Sequence, residues 1–336
     1  MNYGKKGVRA KQKALNSKSQ KWGRKLALTC VKIMLAAVVG IGICGVAAGI
    51  GVFRGILSST PTIRLSDVVA VGEATIVYDK EGNEIDQYVS TNSNRLSVGM
   101  DEIPDYMGKA FVAIEDERFY QHNGIDVKGI LRAGYQFIKT GGEEAQGAST
   151  ITQQLLKNTV FTDWTSEGSN KIKKIKRKIQ EQYLALEITK YYSKDEILLR
   201  YMNAINLGQN TLGVESASLR YFGKHCSDLT LSECAVIASI TQNPSKYNPI
   251  RHPEDNAVRR EKCLNKMLEL GFVSQSEYDE AMADTDAVYE RIGLYDIDYQ
   301  EANATTGSYF SDAVYEQVKQ DLILSGYNEA MAETLL

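Results

Sequence analysis

The longest apolar segment of the chain runs from Ile33 to Phe53 and contains no charged residue in 21 positions. About 20 apolar residues in a helix are enough to cross the hydrocarbon core of a bilayer. A cleaved signal peptide is the competing interpretation, but the run is longer than a usual signal core and no small-residue cleavage site ends it. The pattern therefore predicts a retained membrane anchor, with boundaries at residues 26–54.

After the anchor, the pattern changes to one that is typical of a β-hairpin. Two apolar runs in ATIVYDKEGNEIDQYV, residues 74–89, flank a polar turn that contains Gly82. Glycine adopts the positive φ of such a turn without steric cost. We therefore expect two short antiparallel strands here, within a stalk that covers residues 55–100.

From Pro104 to about Gly271 the apolar positions recur every three or four residues, which predicts helices. The four residues from Ser193 to Glu196 have the sequence of a capping box, a signal for a helix N-terminus. A further helix is expected from about Tyr309. The predicted fold class is mainly α, with the small β-hairpin and the N-terminal transmembrane helix.

Charge is distributed unevenly along a chain whose net charge is −3. Residues 1–25 carry nine Lys and Arg and no acid, and the first acidic residue is Asp67. Because basic flanks stay in the cytoplasm, this asymmetry predicts a single-pass type II protein whose C-terminal bulk lies outside the plasma (inner) membrane. The exported domain is acidic and has no segment in which basic and aromatic residues are interleaved. We therefore expect no nucleic-acid partner.

The exported part contains three cysteines, Cys226, Cys234 and Cys263, at spacings that fit no common metal site. An odd number cannot be fully paired within one chain. We therefore expect neither a structural metal nor an obligatory disulfide framework.

Three segments combine residue types that could carry chemistry, and the first is Glu115-Asp116-Glu117. Met107, Phe111 and Ile114 predict a helix that ends at these acids, where the helix dipole disfavours negative charge. Such a local cost is typical of functional sites, but a solvated charged turn explains the same residues when they are considered alone.

The second and third segments are GASTITQQLLKN, residues 147–158, and KIKKIKRKIQEQYLALEI, residues 171–188. A helix N-terminus near Ser149, with amides and a lysine, suits a sugar or phosphate ligand, although a capped surface helix is the plainer alternative. Arg177 and Glu181 are four residues apart, so they share a helix face opposite the isoleucine stripe. The basic cluster indicates binding of anionic lipid or of pyrophosphate. The alternative is an exposed helix that is stabilised by ion pairs.

Several common catalytic motifs are absent from the sequence. There is no Gly-x-Ser-x-Gly, no His-Glu-x-x-His and no phosphate-binding loop. There is also no Ser-x-x-Lys, so this chain lacks the acyl-serine motif of penicillin-reactive enzymes.

Taken in order, five motifs resemble those of glycosyltransferase family 51, the peptidoglycan glycosyltransferase domain of class A penicillin-binding proteins and of monofunctional transglycosylases. They are EDERFYQHNG, GASTITQQLLKN, RKIQE, EILLRYMNAINLG and AVIASITQNPSKYNP. The resemblance covers about residues 70–290. It implies a lysozyme-like fold for a domain at residues 101–271, followed by C-terminal helices at 272–336 that begin a linker towards a transpeptidase domain.

The resemblance also implies roles for individual residues. Glu115 is expected to be the general base, and Glu181 a second acid that orients the acceptor or a divalent ion. The expected substrate-binding residues are Ser149, Gln153, Gln154, Lys157, Arg177 and Lys178. The residues expected to shape the first motif are Asp116, Phe119, His122 and Gly124.

The activity that the resemblance implies is polymerisation of lipid II into β-1,4-linked glycan strands with inversion. Its partners would be lipid II, the nascent strand, membrane lipids and a cell-wall synthesis complex. No cofactor is required, although a divalent cation (Mg or Mn) could bind at the pyrophosphate. Phe161 and Trp164 could enter the bilayer interface or form an exposed loop tip.

Two other functions remain open at the level of sequence. A peptidoglycan hydrolase of lysozyme-like fold would use Glu115 as an acid, and a non-catalytic cell-wall scaffold would keep only the fold. Two short segments also depart from the family pattern: Thr241-Gln242-Asn243-Pro244 replaces Pro-Gln-Ala-Pro, and residues 210–212 fill a turn that is usually smaller. Both departures are expected to lie away from the acids.

Overall fold

The computed structural model describes residues 4–15, 18–63, 68, 75–82, 84–88, 95–140, 147–293 and 309–327. The chain divides into two compact units, Met1–Pro61 and Thr62–Leu336. The mainly α fold with one hairpin and an N-terminal apolar helix is confirmed. The predicted domain boundaries within these units remain predictions.

The first unit consists of helices α1 (Lys5–Leu15) and α2 (Lys18–Ser58). The segment Trp22–Ser58 is long and apolar enough to cross a membrane, with a mean hydropathy of 2.5 in its most apolar window. Helix α2 thus extends beyond the predicted anchor at both ends.

The second unit begins with the predicted hairpin. Strand β1 (Thr75–Tyr78) pairs antiparallel with β2 (Glu84–Tyr88), with an irregular register between Val77 and Tyr78. Gly82 has a φ of +87°, as expected for the turn.

Among the described connections between the helices that follow, several contain short segments of 3-10 helix. In chain order the helices are α3 (Asp105–Glu115), α4 (Val127–Lys139), α5 (Ile151–Thr159), α6 (Lys171–Ile188), α7 (Lys194–Ala204), α8 (Val214–Phe222), α9 (Leu231–Ile240), α10 (Pro253–Glu269), α11 (Gln275–Ala283), α12 (Thr285–Glu290) and α13 (Tyr309–Leu324).

Helix α9 lies at the centre of the core, and all ten of its residues are buried. A helix that is apolar all round needs neighbours on every side. Helices α3, α8, α10, α11 and α12 supply them. Helix α5 packs against α6 and α7, and α3 also contacts α7.

Several helix starts are fixed by reciprocal hydrogen bonds between a hydroxyl residue and a Glu or Gln three positions later. The capping box that the sequence predicts at Ser193 and Glu196 is confirmed. Further boxes begin α5, α9 and α11. Each satisfies two backbone N–H groups that would otherwise lack a partner at the helix end.

Helix α6 buries the face opposite to the one that its sequence pattern indicates. Its isoleucine stripe faces outward and its charged face points inward. Ile172 and Ile175 are 80% and 60% exposed. Arg177 and Glu181 face inward, and Glu181 is fully buried. The basic segment is therefore part of a buried charge cluster as well as a surface.

Candidate active site

Glu115 occupies the last position of α3, and its side chain is only 11% exposed. Three donors reach its carboxylate. Thr241 Oγ1 donates to Oε1 at 2.5 Å and Arg259 Nη2 donates to the same oxygen at 2.8 Å. Gln154 Nε2 donates to Oε2 at 2.8 Å. The acids at this helix end are thus compensated by a cation and two neutral donors, which oppose the unfavourable helix dipole.

The structure corrects the expectation that the departure at Thr241-Gln242 lies away from the acids. Thr241 contacts Glu115 directly, and Gln242 Oε1 accepts a hydrogen bond from Arg259 Nη1 at 2.6 Å. The fifth motif begins within α9 and continues beyond its end, and α9 packs on α3 in the core. That packing brings residues 126 positions apart in sequence to one carboxylate.

Arg259 is a site residue that the sequence reasoning missed. It lies on α10, outside the five motifs, and its side chain is 10% exposed. One signal was available. Asn256 and Arg260 share the helical spacing of Cys263 and Met267, so two polar residues lie on the same stripe as apolar ones, and the structure buries that stripe.

Asp116, the next residue, makes contacts that hold the structure together. His122 Nε2 lies 3.0 Å from each Asp116 oxygen, and the backbone N–H of Ile151 at the start of α5 donates to Oδ2 at 3.1 Å. His122 Nδ1 accepts from the Gly124 N–H, which assigns the proton to Nε2. The pair therefore connects the first motif to the N-terminus of the second.

Phe119 and Gly124 complete this first-motif environment. Phe119 is fully buried, with its ring edge-on to that of His122. Gly124 has a φ of +90°, and a Cβ there would lie 2.3 Å from the carbonyl oxygen of Ala185 in α6. Only glycine lets the loop approach α6 this closely.

A second cluster lies around a cavity of about 260 Å³. Its lining consists of Lys157, Trp164, Gly168, Lys174, Arg177 and Lys178. Glu181 lies beneath the cations: it accepts from Lys178 Nζ at 2.7 Å and from Arg177 Nη1. Arg177 also pairs with Glu167, with Nε donating to Oε1 at 2.9 Å.

Lys157 has a distinct electrostatic position in this cavity. Burial lowers its pKa below the ordinary 10.5, and the nearby positive charges of Lys178 and Arg177 lower it further. Its ammonium lies 3.6 Å from the ring centroid of Trp164. An ammonium crowded by other cations binds an anion favourably, because the anion relieves that repulsion.

Of the other predicted binders, Ser149 lies beside this cluster, where its Oγ accepts from Lys178 Nζ at 3.1 Å. The N-cap of α5 is the neighbouring Thr150. Gln153 is placed differently from what the motif suggests. It is only 2% exposed, and its Oε1 accepts from the Thr150 N–H to close the capping box. Gln154, not Gln153, reaches the carboxylate of Glu115.

Helix α5 joins the two clusters. Gln154, which donates to Glu115, and Lys157, which lines the cavity, are three residues apart on this helix. That separation corresponds to a rise of about 4.5 Å along the helix axis. A carboxylate with neutral and cationic donors and an anion-attracting cavity therefore lie side by side.

Several known proteins are similar to this chain in sequence. The Transglycosylase family model matches residues 81–268. Penicillin-binding protein 1A of Clostridium botulinum (strain Hall) is 38% identical over 308 residues, which cover 89% of this chain and 36% of that protein. Penicillin-binding protein 1A/1B of Bacillus subtilis (strain 168) is 33% identical over 318 residues, covering 93% of this chain and 33% of that protein.

The chain thus spans about a third of the length of these curated relatives. A crystal structure of penicillin-binding protein 1A from Haemophilus influenzae is similar over 63% of this chain and 20% of that chain, with 23% sequence identity and a TM-score of 0.35.

Proposed function

This chain belongs to the transglycosylase family, and from that premise we propose that it is a peptidoglycan glycosyltransferase that polymerises lipid II into β-1,4-linked glycan strands. The observation that carries the proposal is the juxtaposition along α5 of the Glu115 carboxylate and the Lys157–Arg177–Lys178 cavity. One cluster suits proton removal and the other suits a diphosphate.

Glu115 is the general base in this proposal. The 4-hydroxyl of the acceptor sugar gives its proton to the carboxylate while its oxygen bonds to the anomeric carbon of the donor. The anomeric carbon–oxygen bond to the diphosphate breaks on the opposite face, with its electron pair leaving on the diphosphate, so the configuration inverts. A positioned base of this kind contributes roughly 10²–10⁴-fold to the rate.

Lys157, Arg177 and Lys178 stabilise the negative charge that develops on the leaving undecaprenyl pyrophosphate. Donors fixed in advance at the site of developing charge lower the barrier without having to reorganise during the reaction. A separate acid is unnecessary, since a diphosphate leaves without protonation, unlike the sugar oxygen in a glycosidase reaction.

A divalent cation held by protein ligands does not fit the described residues of this cavity. Both oxygens of Glu181 are engaged by Arg177 and Lys178, and those of Glu167 by Arg177. Among the described residues of the chain, no group of three or more His, Cys, Asp or Glu side chains could hold a metal ion. The proposal therefore assigns charge neutralisation to the cationic side chains and the positioning of those cations to Glu181.

The membrane is the proposed location of the substrate and of the enzyme. Helix α2 supplies the anchor, with the basic tail on the cytoplasmic side. Helix α4 adds a stripe of exposed apolar residues, Val127, Leu131, Tyr135 and Ile138, between 62% and 80% exposed. Apolar stripes with lysines nearby suit the interface of a bilayer that contains anionic lipids. Trp164 lies over Lys157 instead of forming a free loop tip.

The test is incubation of the protein with labelled lipid II in detergent or vesicles, with and without moenomycin, a donor-site inhibitor of the family that the chain resembles. Moenomycin-sensitive growth of glycan strands is the expected result. A parallel incubation with finished glycan separates the alternatives. Loss of that polymer without strand growth would indicate a hydrolase, and inactivity towards both substrates would indicate a scaffold.

A further inference from the structure

The hydroxyl of Thr241 contacts the carboxylate of Glu115, which is the base of the proposed reaction. Its Oγ1 lies 2.5 Å from Glu115 Oε1 and 3.0 Å from the carbonyl oxygen of Ala238. A hydroxyl has one proton, so it can donate to only one of these two acceptors at a time. The shorter distance and the negative charge of the carboxylate favour donation to Glu115.

The two oxygens of Glu115 are engaged unequally. Oε1 accepts from both Thr241 and Arg259, whereas Oε2 accepts from Gln154. Each carboxylate oxygen has two lone-pair directions. Donors from the described residues therefore use both directions at Oε1 and one of the two at Oε2.

We propose that Thr241 is a positioning residue for Glu115: with Arg259 it engages Oε1 and leaves Oε2 as the oxygen that receives the proton of the acceptor hydroxyl. This inference rests on the function proposed above. When Oε2 takes that proton, Glu115 becomes neutral and Oε1 becomes a weaker acceptor. The Thr241 hydroxyl can then turn to Ala238, so the same group fixes the ionised base and follows its change of charge.

Thr241 is held in place by the core of the protein and does not depend on the substrate for its position. The residue follows α9 directly, and α9 is buried along its whole length. Arg259 is held in turn by Gln242, the neighbour of Thr241. The carboxylate is thus oriented by one rigid helix end and by α10, while Gln154 approaches from α5. Such support by packed elements is what keeps a reacting group in a productive geometry.

The experiment compares four variants of the full chain in the lipid II polymerisation assay. Thr241→Val removes the hydroxyl and keeps the shape, Thr241→Ala removes it in a second way, and Thr241→Ser retains it. Ser239→Ala is the matched control, since the Ser239 hydroxyl donates to Ala235 within the same helix at 2.7 Å. Thermal unfolding of every variant identifies any that fails to fold.

We expect kcat to fall about tenfold in Thr241→Val and Thr241→Ala with KM unchanged, because a hydrogen bond to a charged reacting group is lost. Thr241→Ser and Ser239→Ala should stay within about twofold of the wild type. Wild-type kcat in the folded Val and Ala variants, or an equal loss in Ser, would overturn the inference. A wild-type protein that makes no strands would instead refute the proposed function.

Discussion

The two buried glutamates of the site, Glu115 and Glu181, have the same side chain and both pair with an arginine, yet their surroundings differ. Glu115 is 11% exposed, and among the described residues Gln154 alone donates to its Oε2. Glu181 is fully buried, and its two oxygens accept from Arg177 and Lys178. A substrate can therefore reach the first carboxylate, whereas full burial and two cations shield the second.

This difference separates two uses of a buried acid. A buried carboxylate with both oxygens paired to cations holds those cations in place, and its removal is destabilising because it leaves their charge without a partner. A carboxylate that is still partly exposed can take a proton from a substrate. The contrast predicts that equivalent substitutions at the two positions will have different consequences.

The largest effect is expected for Glu115→Gln. The amide keeps the shape but cannot accept a proton, so strand synthesis from lipid II should fall by roughly 10³-fold. Stability should also fall, because Arg259 is only 10% exposed and loses the carboxylate with which it pairs, so thermal unfolding checks that the variant is folded. Near wild-type polymerisation by a folded Glu115→Gln protein would remove Glu115 from the role of base.

Glu181→Gln is expected to reduce both stability and activity. Lys178 loses its carboxylate, while Arg177 keeps only Glu167, so the free energy of unfolding should fall by about 2–3 kcal/mol. Denaturant unfolding measures this. The control is Glu187→Gln on the same helix, where Glu187 pairs with the exposed Lys190. An exposed pair contributes little, so the control should change stability by less than about 1 kcal/mol. Equal losses in the two variants would contradict the contrast.

The cavity should show a pH dependence set by Lys157. Its pKa lies below that of an ordinary lysine, so in the free protein it loses its charge at a lower alkaline pH. Binding of inorganic pyrophosphate needs the charged form and should weaken as pH rises through that pKa. Calorimetry on the wild type and Lys157→Arg checks this, because arginine stays charged throughout. The same alkaline weakening in both proteins would exclude Lys157 as its source.

The smallest effect is expected for the cap of α5. Thr150 accepts from the Gln153 N–H and donates to the carbonyl of Gly124 at 2.7 Å. Thr150→Ala should cost about 1 kcal/mol of stability. Ser274→Ala, which removes the cap of α11, should cost a similar amount. Only Thr150→Ala should also slow strand synthesis, because α5 carries Gln154 and Lys157. Equal activities of the two variants would argue against a positioning role for α5.

Much of the architecture could be predicted because it depends on local chemistry. The hairpin turn at Gly82, the capping box at Ser193 and the helix that ends at Glu115 each follow from a few neighbouring residues. The ordered motifs likewise identified the family, and the comparisons confirmed it. The buried face of α6 could not be predicted from its sequence pattern, because the charge cluster is buried and the isoleucine stripe is exposed.

By itself, the sequence determined the apolar anchor helix, the helical class of the domain and the acids and cations available for chemistry. Only the tertiary structure decided how each group is used. It placed Thr241 and Arg259 on Glu115, engaged Glu181 with Arg177 and Lys178, and assigned Gln153 to a helix cap. The reason is that these contacts join residues from separate helices, and their geometry is set by the packing of α3, α5, α9 and α10 rather than by the spacing within any one segment.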